Sequence, residues 1–423
     1  MILLDLKINT LGLLNEYEDY MTDTKQETIS TKLMPNKILL GPGPSMAHPR
    51  VLQAMMQSMI GYLDPDFIPV LDEIACSLKK IFKTKNTTLV IPGTGSAGME
   101  AGLSSLLEPG DKVIMCIYGF FCERMVEMAE RIGAEVIPLR AEWGNPFPEE
   151  LLEMEIKKHP EVKLVTAIHG ETSTGVVQEL SGLSRIAKDH GALFMVDAVT
   201  TFAGRNIETD NWNIDYIYSA SQKCLGAPPG LSPAAISDEA LSIIRNRKSK
   251  PVSWYLDLDL LCRYWSSERL YHHTAPVSML YGINESLKIV LEEGLETRFE
   301  RHKINAEALI AGLTSLGLNP VAREGNRLEQ ITPVWIPNEI DDIKVRNMLL
   351  EEYSIELGRG LGDFSGKVWR VGLMGESSKQ EYVLTFLAAL DSILPRVGYE
   401  VAQGRAISEA TRIYNLYPSK KKS

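Results

Sequence analysis

Apolar positions along this chain change their spacing in a regular way. Over residues 68–82, Val70, Leu71, Ile74, Leu78, Ile81 and Phe82 fall on one helical stripe, which predicts a helix. From residue 86 to about 219, short apolar runs alternate with such stripes. Residues 87–91, 112–117, 136–139, 164–169, 192–196 and 214–218 read as strands. Helices are predicted over about 97–107, 121–132, 148–158 and 183–190. This alternation predicts an α/β layer with a mainly parallel sheet. Ligands of such sheets gather at the carboxyl ends of the strands.

The pattern changes after Gly230. It becomes irregular, with tryptophan and tyrosine concentrated over residues 254–271. One long helix is predicted from about Val277 past Leu295 into Leu313. From Gln330 the chain reads as a smaller α+β unit, with strands near 332–336, 355–357 and 368–372 and helices near 341–352 and 379–394. The predicted division is therefore an N-terminal arm or extension over residues 1–37, a large domain over 38–294 and a small C-terminal domain over 295–423.

Composition narrows the function classes. A net charge of −11 over 423 residues argues against a broad nucleic-acid footprint or an anionic membrane surface. No apolar run reaches the ~18 residues of a membrane span. The five cysteines are scattered, without a C-x-x-C pair, so neither a disulfide frame nor a metal cluster is expected. Residues 1–14 lack a signal-peptide cleavage pattern, and the tail ends K-K-K-S rather than S-K-L. Cytoplasm is the expected compartment.

Four strand ends carry candidate chemistry. The first is Gly93-Thr94-Gly95-Ser96-Ala97-Gly98, between a strand and a helix, where free N–H groups and hydroxyls suit a phosphate. It also fits G-x-G-x-x-G. A dinucleotide fold, however, wants an acid about 20 residues further on, and the next strand ends Cys116-Ile117-Tyr118 without one. The second is Asp197, which closes an apolar strand and needs a partner; a helix cap or a protonated ring nitrogen both answer. The third is the hydroxyl-rich His169–Gly175. The fourth is Lys223 in S-A-S-Q-K-C-L-G-A-P-P-G. It has no charged neighbour between Asp215 and Asp238. Partial burial lowers an amine's pKa and allows Schiff-base chemistry; a plain surface-loop lysine is the alternative. In the second domain, Arg370 on a short strand suits a carboxylate, or an exposed strand face. The adjacent His272 and His273 are read on a strand, where neighbours face opposite ways, so they are structural or interfacial rather than metal ligands.

A phosphate cradle, a buried carboxylate, an amine and an arginine together suit pyridoxal phosphate. Over about residues 38–390 the chain resembles the class V aminotransferases of fold type I, near the alanine–glyoxylate, serine–pyruvate and ureidoglycine–glyoxylate enzymes. G-P-G-P-S at Gly41–Ser45, H-G-E-T-S-T-G, V-D-A-V, S-Q-K-C-L-G-A-P-P-G, H-H-T and W-R-V-G-L-M-G carry the likeness. The resemblance implies that Lys223 binds the cofactor covalently and then shuttles a proton, and that Asp197 holds the ring nitrogen. It further implies that Thr94, Gly95, Ser96 and Gln222 hold the phosphate, Thr172 bonds the phenolic oxygen and Phe121 stacks on the ring. Arg370, with Gly43 and Tyr62, would meet the substrate. Tyr271 and Thr274 would reach the phosphate of the neighbouring subunit, in a homodimer with shared sites.

Two positions bear on the substrate. Ureidoglycine enzymes tend to carry glutamine at Tyr62 and asparagine at Tyr271, which turns the reading toward alanine or serine as donor and glyoxylate as acceptor. Residues 291–302 and the tail helix lean toward the ureidoglycine branch, which stays the alternative. A cysteine desulfurase or other lyase is more distant: it wants a histidine before its lysine, and Gln222 stands there.

Overall fold

The fold was taken from a computed structural model that describes residues 35–417. Residues 1–34 of the expected N-terminal arm and the K-K-K-S tail lie outside them. Thirteen strands follow in chain order. They are β1 (Ile38–Leu40), β2 (Thr87–Pro92), β3 (Lys112–Ile117), β4 (Glu135–Arg140), β5 (Val162–Ile168), β6 (Gly170–Glu171), β7 (Val176–Val177), β8 (Leu193–Asp197), β9 (Tyr216–Tyr218), β10 (Leu231–Ile236), β11 (Ile331–Trp335), β12 (Ile355–Arg359) and β13 (Val368–Gly372). Seven of them form one sheet in the order β2-β10-β9-β8-β5-β3-β4. It is parallel except for β10, which runs antiparallel to both β2 and β9. The expected α/β layer with a mainly parallel sheet is what the chain forms.

Burial explains the run pattern. In β5, β8, β9 and β10 nearly every residue is inside, as expected for strands covered on both faces. The helix Ile68–Phe82 lies where its stripe predicts and buries Leu71, Ile74, Leu78, Ile81 and Phe82.

β10 escapes the sequence reading because Pro233 sits in it, opposite Val90. Proline cannot donate to a ladder, so the run reads as irregular. Two further helices in that stretch, Asp238–Arg245 and Leu258–Trp265, are also new. The single helix expected across residue 294 is two, Val277–Glu293 and Leu295–Ser315. Gly294 breaks them apart at φ +83°, a left-handed conformation that ends helices.

A second sheet, β1-β12-β13-β11, lies in its own hydrophobic cluster around Trp369, Phe386 and Leu390. β1 belongs to it, pairing in parallel with β12. The start of the expected large domain thus forms an edge of the smaller sheet.

Candidate active site

The carboxyl ends of β2, β3, β5, β8 and β9 open into one cleft with about 550 Å³ of empty space, part of it open to solvent. Thr94, Gly95, Ser96, Phe121, Thr172, Asp197, Gln222 and Lys223 all line it. Eight residues spread over about 130 positions of chain meet because parallel strands deliver their loops to one edge.

Asp197 closes β8 and is 5% exposed. Its Oδ2 accepts from the Tyr218 hydroxyl of the adjacent strand at 2.5 Å, and its Oδ1 accepts from the Val199 amide at 2.7 Å. Burial raises its pKa to about 6, although both hydrogen bonds pull the other way. A carboxylate so held is pre-set for a cationic hydrogen-bond donor.

Lys223 is partly buried, and its amine donates to the Pro42 carbonyl. Burial lowers its pKa to about 8, and the charge of Arg370 acts in the same direction. Gly43 packs directly on it: a Cβ there would stand 2.8 Å from the lysine Nζ, and its φ is +116°. The backbone conformation demands glycine, and any side chain there would push the lysine amine aside. The Ser45 hydroxyl donates to the Lys223 carbonyl at 2.7 Å, and the Ser45 amide to the Gln222 carbonyl at 2.8 Å. The G-P-G-P-S loop is therefore the cover of the lysine loop.

The cleft fits the phosphate of a cofactor. The helix Gly95–Leu106 starts there, with Thr94 at its N-cap making no side-chain cap bond. The Ala97 amide already donates to the Thr94 carbonyl at 2.8 Å, which leaves the Gly95 and Ser96 amides without a carbonyl ahead of them in the helix. Gln222 also lines the cleft, and its Oε1 is buried without a hydrogen-bond partner, an acceptor open to a donor on an incoming group.

Arg370, on β13, is 5% exposed, so the exposed-face alternative fails. Its Nε donates to the Arg359 carbonyl at 2.7 Å, and it forms no ion pair among the described residues. Burial lowers its pKa to about 10.

Tyr62, Tyr271 and Thr274 are not brought to this cleft. Tyr62 and Tyr271 stack on each other, with ring centroids 5.5 Å apart. Tyr62 and Thr274 line an apolar surface groove with Met59, Ile60 and Pro276. The segment Tyr271–Thr274 is coil, not the expected strand. His272 and His273 are buried with their Nδ1 atoms 2.9 Å apart, and His272 stacks on Trp254.

Two residues of the cleft region are new. Glu171 is fully buried beneath the Phe121 turn, accepting from the Phe121 amide at 3.1 Å and from the Ser173 hydroxyl at 2.7 Å. Arg124 lines the cleft beside Ser96. In the sequence it is one more charge on an amphipathic helix; the only available signal was its place one turn after Phe121.

Residues 38–363 match the family described as Aminotransferase class-V. The chain belongs to the class-V aminotransferases. It is an aminotransferase of fold type I, and its cofactor is pyridoxal phosphate. It is 39% identical over 399 residues to the (S)-ureidoglycine–glyoxylate transaminase of Bacillus subtilis, covering 90% of this chain and 96% of that one. It is 38% identical to the alanine–glyoxylate aminotransferase of Felis catus, covering 86% of this chain and 89% of that one. The crystal structure of alanine–glyoxylate aminotransferase from Nostoc sp. superposes with a TM-score of 0.86 at 42% identity, over 88% of this chain and 99% of that one.

Proposed function

We propose that this aminotransferase moves an amino group from alanine or serine to glyoxylate. The observation that carries the chemistry is the single cleft joining Lys223, Asp197 and the phosphate cradle. Glyoxylate as acceptor draws on the names of both curated relatives.

In this reading Thr94, Gly95, Ser96 and Gln222 hold the cofactor phosphate, Thr172 the phenolic oxygen, and Phe121 the ring face. When bound, pyridoxal phosphate supplies an electron sink for charge developing at the substrate Cα. Asp197, ionised above about pH 6, keeps a proton on the ring nitrogen. Lys223 is the attachment point. Once freed by substrate, its amine takes the proton from Cα and returns it on the other side of the reaction. A pKa of about 8 leaves an appreciable neutral fraction near neutral pH. Arg370 clamps the substrate carboxylate, and its freedom from ion pairs leaves the guanidinium available. Gly43 completes the substrate side, whereas Tyr62 stands outside the cleft, in the groove with Thr274.

We further assign the protein to a cytoplasmic homodimer in which Tyr271 and Thr274 serve the other subunit's phosphate. Their outward placement supports this. So does the apolar surface around them, where Met59 is 73% exposed, Trp254 62% and Tyr271 54%. The five free cysteines suit a reducing compartment. The two hydrophobic clusters support a division near residue 295.

Ureidoglycine is the second reading for the donor, favoured by the near full-length likeness to the Bacillus subtilis enzyme. A half-reaction assay separates them: alanine, serine and ureidoglycine are mixed singly with the holoenzyme and loss of its visible absorbance is followed. Alanine or serine is expected to bleach it fastest. Bleaching by ureidoglycine alone would reverse the assignment.

A further inference from the structure

Every group assigned so far to the cofactor phosphate is neutral: backbone amides, the hydroxyls of Thr94 and Ser96, and the Gln222 amide. A phosphate monoester carries about −1.5 to −2 charges at neutral pH. Burying that charge in a cleft without a cation is costly. Arg124 supplies the missing charge.

Three observations place it there. Arg124 lines the same cleft as Gly95, Ser96 and Gln222. Its Nη1 donates to the Ser96 hydroxyl at 3.4 Å, so the guanidinium stands at the helix start. Its carbon lies 4.8 Å from the centroid of the Phe121 ring, which fixes the plane of the fork. Two of the three acids of its own helix are engaged elsewhere: Glu123 pairs with Arg140 at 2.9 Å, and Glu127 with Arg131 at 2.5 Å. Among the described residues no carboxylate stands within 4.0 Å of Arg124. A half-buried arginine, braced by a ring and left without an acid, is arranged for an anion.

We propose that Arg124 is a cofactor-positioning residue that neutralises the phosphate of pyridoxal phosphate in its own subunit. The inference rests on the proposed phosphate end of the cleft. Its test compares pyridoxamine phosphate with pyridoxamine, which differ only in that group, by equilibrium titration of cofactor-free protein. Wild type is expected to prefer the phosphorylated form strongly. Arg124→Gln should weaken pyridoxamine phosphate about tenfold or more and leave pyridoxamine within about twofold, with Arg124→Lys restoring most of the loss. An unchanged preference in Arg124→Gln, or an equal loss for both ligands, overturns the inference. If wild type itself shows no preference, the phosphate cradle fails with it, so the two failures are told apart. Should Arg124→Gln not fold, Arg124→Met replaces it, with the same loss of about tenfold expected for pyridoxamine phosphate only; an unchanged preference there overturns the inference.

Discussion

The Asp197–Lys223 pair and the Tyr271–Thr274 segment are built in opposite ways. The first sits at sheet ends, with Asp197 in two hydrogen bonds and the lysine amine donating to Pro42 under the cover of Gly43. The second is coil, with Tyr271 half exposed and stacked on Tyr62. A rigid sheet fixes groups whose pKa values must be tuned by burial, whereas a group meant for another surface must stay outside its own core. One half of the site is finished within a single chain. On the proposed assembly, the other half is offered outward.

That contrast can be attacked from its strongest side first. Lys223→Ala should abolish turnover by at least about 10⁴-fold, since proton transfer is lost along with attachment. Activity within tenfold of wild type would remove the lysine from the chemistry. Asp197→Asn should lower kcat by about 10²–10³-fold, the scale of losing one preorganised electrostatic contact. An unchanged kcat would leave Asp197 as a mere cap. For Arg370→Ala, KM for the amino donor should rise by about 10–100-fold, as expected for a lost charge-assisted pair; titration with donors reads it directly, and an unmoved KM sinks the clamp.

The outward half predicts smaller effects. Tyr271→Ala and Thr274→Ala should each weaken cofactor affinity by roughly 2–10-fold, the range of one neutral hydrogen bond. In a monomeric variant such as Met59→Glu the same substitutions should change nothing further. Additive losses in the monomer would place these side chains in their own subunit's site.

The smallest effect is a shift in pH midpoint. Only the neutral amine attacks, so covalent uptake of pyridoxal phosphate by cofactor-free protein should slow by about tenfold per pH unit below its pKa and level off above it. The midpoint is expected near pH 8. Arg370 lowers the lysine pKa, so Arg370→Ala should move that midpoint upward. A midpoint that stays put would show that burial alone sets it.

Local sequence carried much of this and missed specific parts. Asp197 was legible because it closes an apolar strand with one charge, and Lys223 because it is the one charge in a neutral loop between Asp215 and Asp238. The helix Ile68–Phe82 was legible because its stripe is the surface it buries. Arg124 was not: its value lies in Glu123 and Glu127 of its helix being paired to other arginines, which is a property of three dimensions. β10 was hidden by Pro233, whose missing donor argues against a central strand. The helix break at Gly294 lay inside a continuous apolar pattern, so only its backbone conformation reveals it. The partner of β1 lies far down the chain, beyond the reach of any local periodicity.

That last pairing has a consequence in time. Ile38 meets Ile355 across a separation of 317 residues (355 − 38). At synthesis rates of about 5–20 residues per second, β1 leaves the ribosome roughly 16–63 seconds before its partner is made. The loop that covers Lys223 hangs from β1, and Lys223 is made 132 residues before Ile355 (355 − 223), so a nascent chain carries its reactive amine for roughly 7–26 seconds before the partner of β1 exists. Attachment of the cofactor during that interval would protect the amine from other aldehydes before the protein is released.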